Sequence, residues 1–353
     1  MRRSKTRHRR PGRPRLALAA LIALAGAGLV AFMASPWPSA LLVRWAFDLG
    51  GVLADRALAA HVPATVRSDT GLRYAADPDA LLDVHRPTGI AQDARLPVIV
   101  WVHGGGFVAG SRTQVGNYAR ILAGDGHAVV AVDYALGPGT HYPVPVHQVN
   151  RALAYLVAEA DRLQLDTTRV VLAGDSAGAQ IAAQVAALIT SPAYARAMAI
   201  EPALDRAHLV GTVLFCGPYD ALLMKLGEAD HWLVRTMLWA YLGDRLPSAE
   251  AIAQLSITRH LTPDFPPSFI SVGNDDPLAP QSHALAEALD RHGVRVERLF
   301  FAQDHMPSLP HEYQFDLSRA EAREALTRVK AFLARVFDAR GGPYAGATLE
   351  PLR

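Results

Sequence analysis

The stretch that most limits what this chain can fold into is "TRVVLAGDSAGAQIAAQVAALI", residues 168–189. Its first third is a short apolar run with adjacent valines, the pattern of a buried strand, and its last part is an Ala-rich run long enough for a helix. Only a few residues separate the two, and Gly174 and Gly178 fence Ser176 between them. Gly, Asp and Ser are also ordinary turn punctuation, so the residues alone admit a plain turn. The sharper reading is a tight strand-to-helix turn with Ser176 at its apex, in which the two glycines let strand and helix approach without Cβ clashes. A serine hydroxyl is a weak nucleophile at neutral pH. That reading therefore obliges the rest of the chain to supply a base, an orienting acid and donors for an oxyanion.

The flanking pattern repeats. Strands are predicted at "PVIVWVH", "HAVVAVDY", "LVGTVLFC", "PSFISVG" and "VRVERLFF", with helices near 115–124 and over 146–163, 177–189, 281–292 and 318–337. Two further strands flank an Asp-Pro-Asp turn within 72–87. Apolar strands alternating with helices predict the α/β class, a mostly parallel sheet covered by helices on both faces. Residues 219–262 interrupt the alternation, and Trp232, Leu233, Met237 and Trp239 predict helices of a lid. A lone Cys216 inside an apolar strand leaves no internal disulfide and reads as a small buried residue.

The N-terminus follows a different grammar. Residues 1–15 hold eight Lys or Arg and no acid, and without them the formal charge of +2 becomes −6. Leu16 to Ala34 are then 19 uncharged residues. Cations followed by an apolar run favour membrane targeting over a nucleic-acid tail. The run is longer than a typical signal-peptide core, which favours a retained anchor, with a cleaved signal as the alternative and the bulk of the chain outside the cytoplasm. Residues 36–62 predict an amphipathic helix that lies on a membrane or covers a site. The expected organisation is an arm (1–15), an anchor or signal (16–34), a cap helix (36–62), a catalytic domain (70–339, with a cap insertion at about 219–262) and a tail (340–353).

Ligands in open α/β sheets gather at the carboxyl ends of the strands. There the sequence offers His103-Gly104-Gly105-Gly106, Asn274-Asp275-Asp276-Pro277-Leu278 and Asp304-His305. Backbone N–H groups of the glycine loop and of Ala177 could converge on one oxygen, with His103 organising the loop. Adjacent Asp275 and Asp276 point opposite ways, so only one of them can face an imidazole. His305 follows in the serine, acid, histidine order of α/β-hydrolases. No HExxH, zinc-type Cys/His spacing or phosphate-cradling Gly-Lys motif occurs, so no metal, cofactor or nucleic-acid partner is expected.

Residues 80–337 resemble the bacterial hormone-sensitive-lipase-like branch of the α/β-hydrolases, the esterase/lipase fold-3 group. The resemblance rests on "DVHRP", "VWVHGGGFVAGS", "VDYALGPGTHYPVP", "VVLAGDSAGAQIA" and "GNDDPL" with the final Asp-His. It implies an α/β-hydrolase fold with a helical cap, and cofactor-free hydrolysis of carboxylic esters of short or medium acyl chains. Ser176 would be the nucleophile, His305 the base and Asp276 the orienting acid, with an oxyanion hole at Gly104, Gly105, Gly106 and Ala177. The chain departs from the group in having Met306-Pro307 where Gly-Phe often follows the histidine, and Ala179-Gln180 after the elbow. The same triad also serves amidases, carbamate hydrolases and deacetylases, and related folds serve as non-catalytic receptors.

Overall fold

The computed structural model describes residues 13–224 and 232–339. Most of the basic arm, part of the cap insertion and the expected tail lie outside the described residues. Eight strands form one sheet: β1 (Val66–Arg73), β2 (Leu81–Pro87), β3 (Leu96–Val102), β4 (Ala128–Val132), β5 (Leu165–Asp175), β6 (Leu209–Phe215), β7 (Ser268–Val272) and β8 (Val296–Phe300). Their order is β1-β2-β4-β3-β5-β6-β7-β8. β1 and β2 pair antiparallel at one edge, and β2 pairs antiparallel with β4. From β4 through β8 every pair is parallel. This is an α/β-hydrolase fold.

The helices are α1 (Arg13–Ala34), α2 (Trp37–Leu58), α3 (Gly116–Ala123), α4 (Val144–Ala158), α5 (Ala160–Leu163), α6 (Ser176–Thr190), α7 (Pro192–Met198), α8 (Trp232–Leu242), α9 (Ala249–Leu255), α10 (Ala279–Arg291) and α11 (Ala320–Asp338). The helix expected over 146–163 is two, α4 and α5, broken at Glu159. The central strands β3 and β4 are apolar throughout because the two-residue strand period feeds two separate cores. Val98, Val100, Val102 and Leu172 pack on the side of α4 and α6, while Ile99, Trp101, Val171 and Ala173 pack on the side of α3 and α11.

Register places the site. Val102 pairs with Gly174, Asp175 with Phe215, Phe215 with Ser271, and Val272 with Phe300. The carboxyl ends of β3, β5, β6, β7 and β8 therefore form one rim, and the loops after β3, β5, β7 and β8 carry the residues singled out by sequence.

At the N-terminus, Ala20–Ala34 and Trp37–His61 meet at a bend of 85°. Among the described residues no single helix is long and apolar enough to cross a membrane, whereas this bent pair passes that test together.

Candidate active site

The turn after β5 has the geometry that its glycines demand. A Cβ on Gly174 would press on Val102 O and on the backbone of Gly178 and Ala179, and a Cβ on Gly178 would collide with Val102 O and His103 O. Strand β3, strand β5 and helix α6 thus meet at backbone contact. Ser176 has φ +50°, a left-handed conformation that costs a residue with a Cβ about 1–3 kcal/mol and is held here by its surroundings. Every residue of α6 is buried, and Ser176 retains 8% exposure at its head.

The histidine that meets Ser176 is His311. Its Nε2 stands 2.9 Å from Ser176 Oγ, and its Nδ1 stands 2.8 Å from Asp276 Oδ2. His305, the base expected from sequence, lies elsewhere. Its Nε2 is 3.0 Å from Glu321 Oε1 and its ring packs on Phe301. The physical reason is reach. β8 sits three strands from β5, roughly 14 Å at ~4.8 Å per strand. His305 is only five residues beyond the end of β8, so the loop would have to run nearly extended to cross, whereas the His305 N–H donates to Ala302 O at 2.9 Å in a turn that folds the chain back. His311 has six more residues of slack. Asn274 steers that slack: its Oδ1 accepts from Leu309 N at 2.9 Å and its Nδ2 donates to His305 O at 3.1 Å.

Of the two adjacent aspartates, Asp276 is buried against the imidazole and also accepts Leu278 N at 2.8 Å, whereas Asp275 is exposed. Burial works against a proton on His311, while the Cys216 sulfur, Asp276 and Glu312 work for it, and the net direction is well above the ordinary histidine range. Burial also pushes the Cys216 thiol up, leaving it neutral, so the lasting pull on the imidazolium comes from the carboxylates. Glu312 stands in the left-handed region with φ +58°, and its Oε1 lies 3.8 Å from His311 Nε2. Sequence reasoning missed His311, Glu312 and Asn274. A usable signal was present: "HEY" sets an aromatic two residues after the histidine, as the family's histidine-Gly-Phe does, with Glu312 at the left-handed position that glycine favours.

The loop after β3 needs one correction. Gly104 was expected among the oxyanion donors, but its N–H donates to Asp175 Oδ2 at 2.7 Å, while Trp101 Nε1 donates to Asp175 Oδ1 at 2.7 Å. Asp175 thereby staples the glycine loop to the turn. Burial first, and then the nearby Glu312 carboxyl, raise the Asp175 pKa well above the usual carboxylate range. Gly105 has φ +112° and a Cβ there would strike Ala109 O, so the loop needs glycine at that point. His103 is the loop organiser expected from sequence: its Nδ1–H donates to Gly104 O at 2.7 Å, and its ring stacks on Tyr134.

Two helices cover this loop. Phe107 stacks on Tyr241 of α8 at 3.9 Å, and Met237 Sδ occupies the space where a Cβ on Gly106 would stand. From α2, Arg44 donates to Val108 O at 2.5 Å and Gly137 O at 2.8 Å, Asp48 accepts Gly110 N at 2.9 Å, and Asp55 accepts Asn117 N at 2.7 Å. A cavity of about 570 Å³ lies at the far end of α6, beside Leu188, Ile189 and Arg196, away from this chemistry. Among the described residues one trio, Cys216, Asp276 and His311, brings three possible metal donors within 4.8 Å of one another. Two of its members already bond each other.

The family profile of the alpha/beta hydrolase fold matches residues 99–311. Carboxylesterase NlhH of Mycobacterium tuberculosis is 32% identical over 254 residues, 69% of this chain and 75% of that protein. An acetyl esterase of Salmonella schwarzengrund is 29% identical over 204 residues, 55% of this chain and 60% of that protein. Among solved structures, esterase B from a Lactobacillus superposes with a TM-score of 0.72 at 24% identity, covering 86% of this chain and 96% of that one. The chain belongs to the hormone-sensitive-lipase-like, fold-3 family of α/β-hydrolases. It is a carboxylesterase-like hydrolase.

Proposed function

We propose that the chain hydrolyses carboxylic esters of short to medium acyl chains through an acyl-enzyme, with Ser176 as nucleophile, His311 as general base and acid, and Asp276 as the orienting acid. The observation that carries this reading is the relay Ser176 Oγ, His311 Nε2, His311 Nδ1, Asp276 Oδ2, with links of 2.9 and 2.8 Å. The Ser176 hydroxyl gives its proton to Nε2 as Oγ bonds to the ester carbonyl carbon. The carbonyl oxygen takes the negative charge and is held by the N–H groups of Gly105, Gly106 and Ala177, the last at the start of α6 where helix N–H groups lack intrahelical acceptors. The carbon–alkoxy bond then breaks, Nε2 returns the proton to the leaving alkoxide, and water repeats the cycle on the acyl-Ser176 ester to release the acid. Asp276 keeps the proton on Nδ1, so that Nε2 is the basic nitrogen.

The same reading attaches the chain to a membrane through its N-terminus, supported by the eight cations of the arm, the uncharged run Leu16 to Ala34 and the exposed apolar side chains of α1. A fluorophosphonate probe tests the nucleophile: it is expected to label the wild-type chain and not Ser176→Ala. A series of p-nitrophenyl esters of graded acyl length reads the chain preference. Labelling that survives the substitution defeats the assignment.

A further inference from the structure

Helix α2 is amphipathic with its polarity reversed. Three of its four charged residues, Arg44, Asp48 and Asp55, point into the protein and bond the 108–117 loop and Gly137. Its outer face, at three- and four-residue spacing, carries Trp37, Leu41, Trp45, Leu49, Val52 and Leu53, all exposed, with Trp45 at 67%. A helix docked on a protein in water turns its apolar stripe inward. Here the protein side takes the charges, so the outer medium for which this stripe is suited is apolar.

The preceding helix says which apolar medium it is. α1 exposes Leu18, Leu21, Ile22, Leu24, Leu29 and Val30. Its uncharged stretch, Leu16 to Ala34, rises roughly 28 Å, close to a hydrocarbon core of about 30 Å, and it is long and apolar enough to cross only together with α2. A bend of 85° separates the two helices, so with α1 along the membrane normal α2 lies in the membrane plane. At the corner a groove of about 420 Å³ is lined by Phe32, Trp232, Trp239, Arg235 and Arg245, with the Arg245 guanidinium 5.5 Å over the Trp239 ring and bonded to Met33 O. Trp and Arg together are the side chains that settle at headgroup level. Phe47 links this stripe to the site, since it is itself partly exposed and lies within van der Waals reach of a Cβ placed on Gly106.

We infer that α2 lies flat in the boundary of a lipid bilayer with its outer stripe against acyl chains, so that the cover over Gly106 made by Phe47 of α2 and Met237 of α8 faces lipid and the substrates are acyl esters dissolved in the membrane. The substrate half of this inference rests on the ester-hydrolase reading above. The docking half does not.

The test uses the full chain in vesicles of phosphatidylcholine and phosphatidylglycerol. Nitroxide labels at Leu41→Cys and Leu49→Cys are expected to favour oxygen over an aqueous nickel chelate by at least 5-fold relative to a label at Thr327→Cys on exposed α11, the unlabelled Cys216 background being subtracted. Nickel access equal to that at position 327 overturns the docking, as do labels shielded from both reagents and spin-coupled between copies, which would place a second copy on the stripe. Trp45→Glu with Leu49→Glu is expected to keep turnover of p-nitrophenyl acetate in water within 2-fold and to lose at least 10-fold on dioctanoylglycerol held in vesicles. Equal losses on both esters, or no loss on either, overturn the substrate half. Fluorophosphonate labelling of Ser176 in the same vesicles keeps the two readings apart, because its absence sinks ester hydrolysis and leaves the nitroxide result standing.

Discussion

Helices α6 and α2 both meet the catalytic loop, and both are rich in apolar residues, yet they obey opposite rules. α6 has no charged side chain and buries all fifteen of its residues, so its sequence and its surroundings agree on every face. α2 gives three of its four charges to the protein, beside a small apolar contact at Ala40 and Val43, and turns both tryptophans and all its leucines but Leu58 outward. The difference teaches that apolar periodicity reports a stripe and not the medium that the stripe faces. Where helix-to-protein contacts are polar, the hydrophobic face is free to serve a second boundary. α6 holds Ser176 by rigid burial, whereas α2 fixes position through a few hydrogen bonds, and the two should fail differently.

The sharpest break is on the α6 side. Ser176→Ala and His311→Gln should each lower kcat/KM on a soluble ester by about 10⁴-fold or more while leaving the melting temperature nearly unchanged, because triad members act as a unit. His305→Gln, by contrast, should stay within about 3-fold, since its contact with Glu321 is remote from Ser176. A reversal between the two histidines would return the base to His305 and undo the loop argument.

One step down is the acid. Asp276→Asn should lose on the order of 10² to 10⁴ in kcat, since an amide favours the wrong imidazole tautomer. Asp275→Asn, on an exposed side chain, should remain within about 10-fold of wild type. Steady-state kinetics with a soluble ester separates them, and equal effects would break the assignment of Asp276.

The cap should fail by stability instead. Asp55→Ala leaves the Asn117 backbone N–H and its amide without their carboxylate, an expected cost of about 1–3 kcal/mol. In a chain of this size that is a fall of several degrees in melting temperature at roughly 2–4 °C per kcal/mol. kcat on a soluble ester, measured well below the transition, should hold. A collapse of kcat with no change in melting would make α2 part of the chemistry and erase the contrast with α6.

The sheet and the serine turn were legible because each depends on local rules: β-branched runs, glycines at fixed offsets, and a helix that starts at once. That Asp276 rather than Asp275 faces an imidazole was legible through Pro277, which restricts the residue before it. The histidine beside Ser176 was not, because the first histidine after a strand is a sequence landmark while the one that meets Ser176 has to span three strand spacings. Met306-Pro307 was the visible misfit, and Glu312-Tyr313 was the better match. Gly104 was misread for a related reason, as a glycine run does not say which N–H faces the reacting oxygen and which one Asp175 takes. The reversed polarity of α2 was beyond the sequence, since helical spacing marks both faces and labels neither.

The smallest expected effect concerns pH and belongs to the α6 side alone. A general base must be neutral at Nε2, so kcat/KM falls as pH drops through the His311 pKa of the free enzyme. Burial pulls that pKa down, but the facing Asp276 and Glu312 carboxylates hold it above the ordinary histidine value. The acidic limb of the profile should therefore lie at higher pH than an unperturbed histidine would give. Glu312→Gln removes one negative charge 3.8 Å from Nε2 and keeps the side chain's shape. Losing a nearby anion disfavours the imidazolium, so the limb should move to lower pH, with the plateau rate within about 3-fold of wild type. Asp175 responds to the same substitution in the same direction, since the Glu312 carboxyl is one of the groups holding its proton on. The measurement is kcat/KM against pH on a soluble ester for both chains. A limb that stays in place would show that Glu312 is neutral or screened where it stands, and a limb that moves upward would contradict the charge assigned to it.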